Sequence, residues 1–192
     1  MKRVGILALQ GDFDAHRQAL ESAGAETVLV RTAGELDGLD ALVIPGGEST
    51  TILKLLRAEN MMDPLRAFGE RKPIFGTCAG AILLANEVRN PAQESLGLMD
   101  IAIERNAYGR QIDSRVTRIA PDAQFPVLSR DGDMEAVFIR APVIRRVGPG
   151  VAVLARYQGD PVLVRHGAHL VATFHPELSG DGRVHRWFVE SL

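Results

Sequence analysis

Cysteine is nearly missing from this chain: Cys78 stands alone in 192 residues. That excludes an internal disulfide framework and fits a reducing, cytoplasmic setting. Lysine is almost as scarce. Lys2, Lys54 and Lys72 leave nineteen arginines among the 22 basic residues, a compositional bias to which we attach no function. There is no excess of one charge either. A formal net charge of −2 argues against nonspecific nucleic-acid binding, which needs a strong basic field. No apolar run approaches the roughly 20 residues of a membrane span. Lys2-Arg3 before Val4 to Leu9 imitates a signal peptide, but the run is short and ends at Gln10-Gly11-Asp12 without a cleavage pattern. Internal repeats, low-complexity tracts and linkers are likewise missing. What remains is ordinary globular composition, 46% hydrophobic and 24% charged, over a length that suits one domain spanning residues 1–192. Surface scaling gives roughly 9,000 Å² exposed when folded against about 30,000 Å² extended, so no disulfide or metal staple is needed.

The first 90 residues alternate strand-like and helix-like segments. Val4 to Leu9 reads as a buried strand. His16, Ala19, Leu20 and Ala23 recur at helical spacing, and Gly24 can end that helix. Thr27 to Val30 and Ala41 to Ile44 are further strands, the latter stopped by Pro45-Gly46-Gly47. Ser49 or Thr50 can cap a helix to about Ala58, and Asp63-Pro64 can start another to about Phe68. Pro73 to Thr77 is a fourth strand, followed at once by the apolar helix Ala79 to Ala85. Such alternation implies parallel strands with crossover helices. The second half changes character. Ile101 to Glu104, Ile112 to Ile119, Met134 to Ile139, Val151 to Tyr157, Pro161 to Arg165 and Leu170 to Phe174 follow as strands separated by Gly, Pro and Asp, which suggests antiparallel additions to the sheet. Gly182 to Leu192 is a closing helix, and Asn86 to Gly97 is the expected mobile loop. The expected class is α/β: a mixed, mostly parallel sheet flanked by helices.

The strongest local signal is Ile74-Phe75-Gly76-Thr77-Cys78-Ala79-Gly80. An apolar strand runs through Gly-x-Cys-x-Gly directly into an apolar helix, the nucleophile-elbow pattern with sulfur in place of oxygen. A sharp strand-to-helix turn strains the backbone of the nucleophile, and side chains at the flanking glycines would clash. The thiol then projects above the carboxyl edge of the sheet at a helix N-terminus, which favours thiolate. The competing reading is a buried, inert cysteine.

A thiolate nucleophile needs a base and a group to orient that base. Of five histidines, His175 follows the apolar strand Leu170 to Phe174 and so also lies at a strand's carboxyl end. Pro176 fixes the next turn, and Glu177 can present a carboxylate on the same side. The competing reading is a solvated surface turn. His166 and His169 read as loop residues with no third metal ligand in view, and the Pro-Cys-x-x-Cys that a zinc deaminase would need is missing. Pro45-Gly46-Gly47-Glu48-Ser49-Thr50 also follows a strand. It lacks the lysine of a phosphate loop, and Thr51 occupies the place of a serine elbow's second glycine. A glycine pair there can offer backbone N–H groups to an oxyanion; the plain reading, a tight turn and helix cap, is compatible with that role. Raising the ionised fraction of an ordinary thiol from about 3% to about 75% gains at most about 25-fold. One oxyanion donor is worth about 10²–10³, so the geometry of this loop is expected to matter more than thiol acidity.

Taken together, these residues resemble the class I, triad-type glutamine amidotransferases. Leu9-Gln10-Gly11, Pro45 to Thr51, Glu104 to Gln111, Phe138-Ile139-Arg140-Ala141-Pro142 and Phe174 to Leu178 narrow the resemblance to one branch, the glutaminase subunits of two-subunit pyridoxal 5′-phosphate synthases. The matching blocks run in order through nearly the whole chain. The resemblance implies that Cys78 attacks the side-chain amide of L-glutamine, that His175 is base and then acid, and that Glu177 orients it. It implies an oxyanion hole from the backbone of Gly47 and Ala79, and glutamine held by Gly46, Gly47, Glu48, Arg105, Ile139 and Arg140. An arginine suits the substrate's α-carboxylate; the plain alternative is solvated surface arginines. No metal or bound cofactor is implied, since pyridoxal phosphate is the product of the complex. The implied partner is the synthase subunit, a (β/α)₈ barrel that uses the ammonia. The sheet's active-site edge and the first helix around Asp12 to His16 are the expected docking surface. One departure is Ala15, where the family often has Glu before the histidine.

Competing assignments are a glutaminase serving another pathway, a cysteine hydrolase of the related peptidase-like group, and a catalytically silent scaffold. The Arg105 to Gln111 and Phe138 to Pro142 blocks oppose the first. The peptidase-like group commonly places its histidine close after the nucleophile, and Ala79 to Leu84 contains none. An electrophilic glutamine analogue separates catalysis from scaffolding. Mass spectrometry is expected to find the adduct on Cys78; no adduct with the partner present would favour the scaffold.

Overall fold

The alternation of short apolar and amphipathic runs becomes a set of parallel strands joined by helices. The computed structural model of the protein describes residues 1–106 and 114–192. Strands β1 (Arg3–Leu7), β2 (Glu26–Val30), β3 (Ala41–Ile44) and β4 (Ile74–Thr77) are linked by helix α1 (Phe13–Ser22), a 3₁₀ turn at Ala33–Leu36, and the helices α2 (Ser49–Ala58) and α3 (Met62–Gly69). Helix α4 (Ala79–Leu84) begins one residue after β4. Then come β5 (Ala85–Arg89), β6 (Met99–Glu104), β7 (Arg115–Ile119), α5 (Pro126–Ser129), β8 (Met134–Phe138), β9 (Val143–Val147), β10 (Val151–Tyr157), β11 (Asp160–His166) and β12 (His169–Ala172). A 3₁₀ turn at Pro176–Leu178 and helix α6 (Arg183–Glu190) complete the chain.

The main sheet has the order β10-β11-β12-β4-β3-β1-β2. Its five strands from β12 to β2 run parallel, and β11 and β10 add antiparallel at one edge. Successive side chains of a strand point to opposite faces. Accordingly Leu42 and Ile44 enter a core with α2, α3 and α4, while Ala41 and Val43 enter a second core with Phe75, Phe174 and Phe188. Burial on both faces explains why these strands read as continuous apolar runs. The solvent-accessible surface is 8712 Å², close to the roughly 9,000 Å² expected from mass. Among the described residues, no helix is long and apolar enough to cross a membrane.

Several expectations change. Strand β12 runs parallel to β4, with Ala172 beside Thr77, and is not an antiparallel addition. Most other second-half strands do not extend the sheet but form two small ones, β5-β6-β9 and β7-β8. Each covers one core: Val88, Ile101, Ile103 and Ile144 seal the first, and Ile119, Met134, Ala136 and Phe138 the second. Residues 86–97 are not a free loop, because their start is β5, Leu96 is buried, and Glu94 binds both Arg57 and Arg66. Helix α2 is capped by Glu48, whose carboxylate accepts from Thr50 N at 3.3 Å and Thr51 N at 2.8 Å, and not by Ser49 or Thr50. Strand β9 carries no clean alternation, because its adjacent Arg145 and Arg146 pair across to Glu104 and Asp100 at 2.6 and 2.9 Å. The expected strand from Ile112 begins at Arg115 in the structure, and Ile112 itself lies outside the described residues.

Gly76 and Gly80 face each other where α4 crosses the sheet. A Cβ on Gly80 would lie 2.0 Å from the Ile44 carbonyl oxygen, and one on Gly76 would lie 2.6 Å from the Gly80 backbone. Gly80→Ala is therefore expected to destabilise the fold by roughly 1–3 kcal/mol, the usual range for overpacking. Gly180→Ala, with open space around it, should be close to neutral; urea denaturation of the pair measures the difference.

Candidate active site

The turn between β4 and α4 holds Cys78 at φ +48°, ψ −101°, a conformation that strains an L-residue. Its backbone N–H donates to Ala172 O at 2.9 Å, which pins the turn to β12. The thiol is mostly buried and approaches Ile139 O at 3.9 Å.

Strand β12 delivers His175 to the same edge of the sheet. The ring fits only because Gly46 has no side chain, since a Cβ there would lie 2.4 Å from His175 Cε1. His175 Nδ1 lies 2.7 Å from Glu177 Oε1, so the Nδ1–H donates to the carboxylate and Nε2 is left for the thiol side. Burial lowers the proton affinity of His175. Hydrogen bonding and charge from Cys78 and Glu177 outweigh it and push the pKa up to about 10. The Glu177 side chain is fully buried behind the ring.

A cavity of about 350 Å³ opens above these groups. Its wall includes Cys78, Ala79, His175, Gly47 and Glu48, together with Arg105, Ile139 and Arg140. Every expected site residue therefore lines the cavity except Gly46 and Glu177, which back His175 from behind. Gly47 sits at φ +148°, which favours glycine, and a Cβ there would lie 2.4 Å from Gln10 Oε1 and displace that amide. The Glu48 carboxylate is engaged by Thr50 and Thr51. Burial would raise its pKa, but these hydrogen bonds hold it down to about 2. Arg105 Nη2 lies 3.6 Å from Glu48 Oε1, and its buried Nε has no partner. Arg140 is exposed at the mouth with φ +44°. Ala107 to Gln111, the rest of the Glu104 to Gln111 block that carried the resemblance, lie outside the described residues.

Comparison with known proteins matches the model of the SNO glutamine amidotransferase family over residues 6–192. The chain belongs to that family. It is 59% identical, over the whole of both chains, to the protein of Solibacter usitatus (strain Ellin6076) named "Pyridoxal 5'-phosphate synthase subunit PdxT". A protein of the same name from Koribacter versatilis (strain Ellin345) is 56% identical, covering 99% of this chain and 95% of that one. A solved structure titled "Crystal structure of glutamine amidotransferase" superposes with a TM-score of 0.88 at 49% identity, covering 98% of this chain and 97% of that chain.

Within this SNO-family fold, several site residues carried no assigned role in the sequence. Gln10 Oε1 accepts from Glu48 N at 3.0 Å and buttresses the Gly46-Gly47 loop. Ligand atoms of Asp12, His175 and Glu177 lie within 4.8 Å of one another. This is the one grouping among the described residues with the spacing of a metal site, although His175 and Glu177 already bond each other. His16, expected near a docking surface, is turned inward and fully buried, while Asp14 and Arg17 beside it are exposed and paired at 3.0 Å. His166 and His169 are not loop residues. They pair across β11 and β12, and their Nδ1 atoms accept backbone N–H groups from Asp100 and Ile74. Only the helical spacing of His16 with Ala19, Leu20 and Ala23 hinted at a buried histidine.

The raised pKa fixes a sign. Folding favours the protonated ring of His175, whose pKa rises from about 6.5 in the unfolded chain to about 10. Its contribution to stability is complete below about pH 6.5 and is lost as pH rises through about 10. Histidine-ring NMR of Glu177→Gln should place the His175 midpoint below that of wild type; an equal or higher midpoint would contradict the pairing.

Proposed function

We propose that this protein is the glutaminase subunit of a pyridoxal 5′-phosphate synthase, hydrolysing L-glutamine to L-glutamate and ammonia for a synthase partner. The observation that carries this reading is the buried Cys78, His175 and Glu177 set beneath an arginine-walled cavity, in a chain matching the named synthase subunits from end to end. The Cys78 sulfur attacks the side-chain amide carbon of glutamine. His175 gives its proton to the leaving nitrogen, the C–N bond breaks, and ammonia departs from a γ-glutamyl thioester. Water then loses a proton to His175 as its oxygen adds to the thioester, the C–S bond breaks, and glutamate leaves, its carboxyl proton passing to solvent, with the thiolate and the protonated His175 restored. Glu177 holds the Nδ1–H and fixes the ring's orientation throughout, so that Nε2 is the nitrogen that gives and takes the proton.

Two backbone donors serve the developing oxyanion. Ala79 stands at the first helical position of α4, where the N–H has no partner within the helix, and Cys78 N–H is already engaged by Ala172. Gly47 N–H, on the glycine loop that lines the same cavity, is the second. The charge of Arg105, already close to Glu48, and that of Arg140 suit the substrate's α-carboxylate, and Glu48 fixes the loop as much as it meets substrate. The whole chain acts as one cytoplasmic domain. The partner is a (β/α)₈ barrel docked at the active-site edge, so that ammonia passes to it before being protonated in solution.

Glutamate release from L-glutamine tests the reading. It should be strong with a pyridoxal phosphate synthase subunit present, weak without it, and reduced at least about 10³-fold in Cys78→Ala. Equal release by the Cys78→Ala complex would refute the chemistry, and strong release without partner would refute the assignment to this assembly.

A further inference from the structure

Behind Glu177 lies a pair of buried imidazoles that the reaction above does not use. His16 from α1 and His185 from α6 are both fully buried, and His16 Nδ1 lies 2.9 Å from His185 Nε2. The other ring nitrogen of His16, Nε2, lies 3.0 Å from Thr77 Oγ1 and 3.4 Å from Glu177 Oε2. Thr77 immediately precedes the nucleophile. The two rings therefore link the closing helix and the first helix to both ends of the reacting set. Phe75, on β4, meets both rings edge-on, and both are shut off from the surface.

Burial lowers the pKa of both groups, His185 to about 4 and His16 well below its ordinary value, the latter helped by the charges of His185 and His175. With both rings neutral, a single proton lies between His16 Nδ1 and His185 Nε2, and its position decides the network. If His16 Nδ1 carried it, His16 Nε2 would turn a lone pair toward the Glu177 carboxylate. His185 would then hold an N–H at Nδ1, an atom with no partner. A lone pair facing a carboxylate and a buried unpaired donor are both costly. If His185 Nε2 carries the proton, His16 is the Nε2–H form. It donates to Thr77 Oγ1 and directs the same N–H dipole toward Glu177 Oε2, an oxygen with no other donor. The atom left unpaired is then only an acceptor nitrogen on His185.

We infer that His16, held in its Nε2–H form by His185, is a positioning residue that sets the Glu177 carboxylate against His175 from behind. Glu177 thus lies between two imidazoles. The His175 N–H binds one oxygen, and the His16 dipole steadies the other without adding a second positive charge that would compete for the carboxylate. This rests on the glutaminase reading for its effect on rate, but the hydrogen-bond arrangement can be tested without it.

Two-bond proton–nitrogen NMR of the histidine rings at pH 7 should show His16 and His185 both neutral and both protonated at Nε2. An Nδ1–H form of His16, or a charged ring at either position, would overturn the inference. In the assembled complex, His16→Leu should lower kcat for glutamate release about 10–100-fold, the equivalent of a hydrogen bond to a charged group, with KM essentially unchanged. His16→Gln, which offers an amide N–H, should recover most of that loss. In a Glu177→Gln background, His16→Leu should cost nothing further, because the group it acts through is already impaired. Additive losses, or a kcat for His16→Leu equal to wild type, would refute the positioning role. If His16→Leu does not fold, His185→Phe replaces it; kcat should again fall at constant KM, and unchanged kcat would count against the inference. Inactivity of the wild-type complex would sink the glutaminase reading and the rate effect with it. An active wild type matched by its variants would sink this inference alone.

Discussion

The turn at Cys78 requires the backbone to leave a buried strand and enter a helix within one residue, in a conformation unfavourable to any side-chain-bearing residue. Nothing in Cys78 itself stabilises this. Support comes from its surroundings: Gly76 and Gly80 let α4 lie against the Ile44 carbonyl, and the Cys78 N–H is tied to β12. Removing the close approach of helix to strand would remove the reason for the turn. The rest of the site is arranged around it, because β12 is both the strand that holds the turn and the one that carries His175.

Charge in the site is handled by confinement. An imidazolium and a carboxylate buried together are expensive to desolvate and are tolerated when each satisfies the other. The His175–Glu177 contact at 2.7 Å does this, and burial lowers the proton affinity of the histidines behind it. Elsewhere the arginine-rich surface makes ordinary exposed pairs such as Arg3–Glu26 and Arg57–Glu94, which contribute little each. The contrast explains why two buried ionic groups matter more here than nineteen arginines.

Part of the cavity wall comes from segments that also seal the cores. Strand β8 places Phe138 against Phe174 with ring centroids 5.7 Å apart, and the next two residues, Ile139 and Arg140, reach the mouth. Strand β6 buries Ile101 and Ile103 and hands Arg105 to the same mouth. The small sheets therefore position groups at the cavity mouth by ordinary hydrophobic packing. Their separation from the main sheet follows from having two cores to cover, one on each face.

Local chemistry was legible in the sequence. The elbow, the histidine after the last parallel strand, the glycine pair and the first-half alternation depend on neighbours within a few residues, where spacing and glycine placement state the backbone geometry directly. The direction of β12, the division of the second half into two small sheets, strand β5 inside an expected loop, and the carboxylate cap of α2 were not legible. Each depends on which distant surface a segment covers or which partner its polar atoms find. The inward turn of His16 belongs with them: its ring is fixed by Thr77 and His185, 61 and 169 residues away along the chain. The sequence by itself determined which chemistry this protein can carry. Only the tertiary structure decided how the buried groups are paired, because pairing is set by proximity between strands and helices that no local pattern encodes.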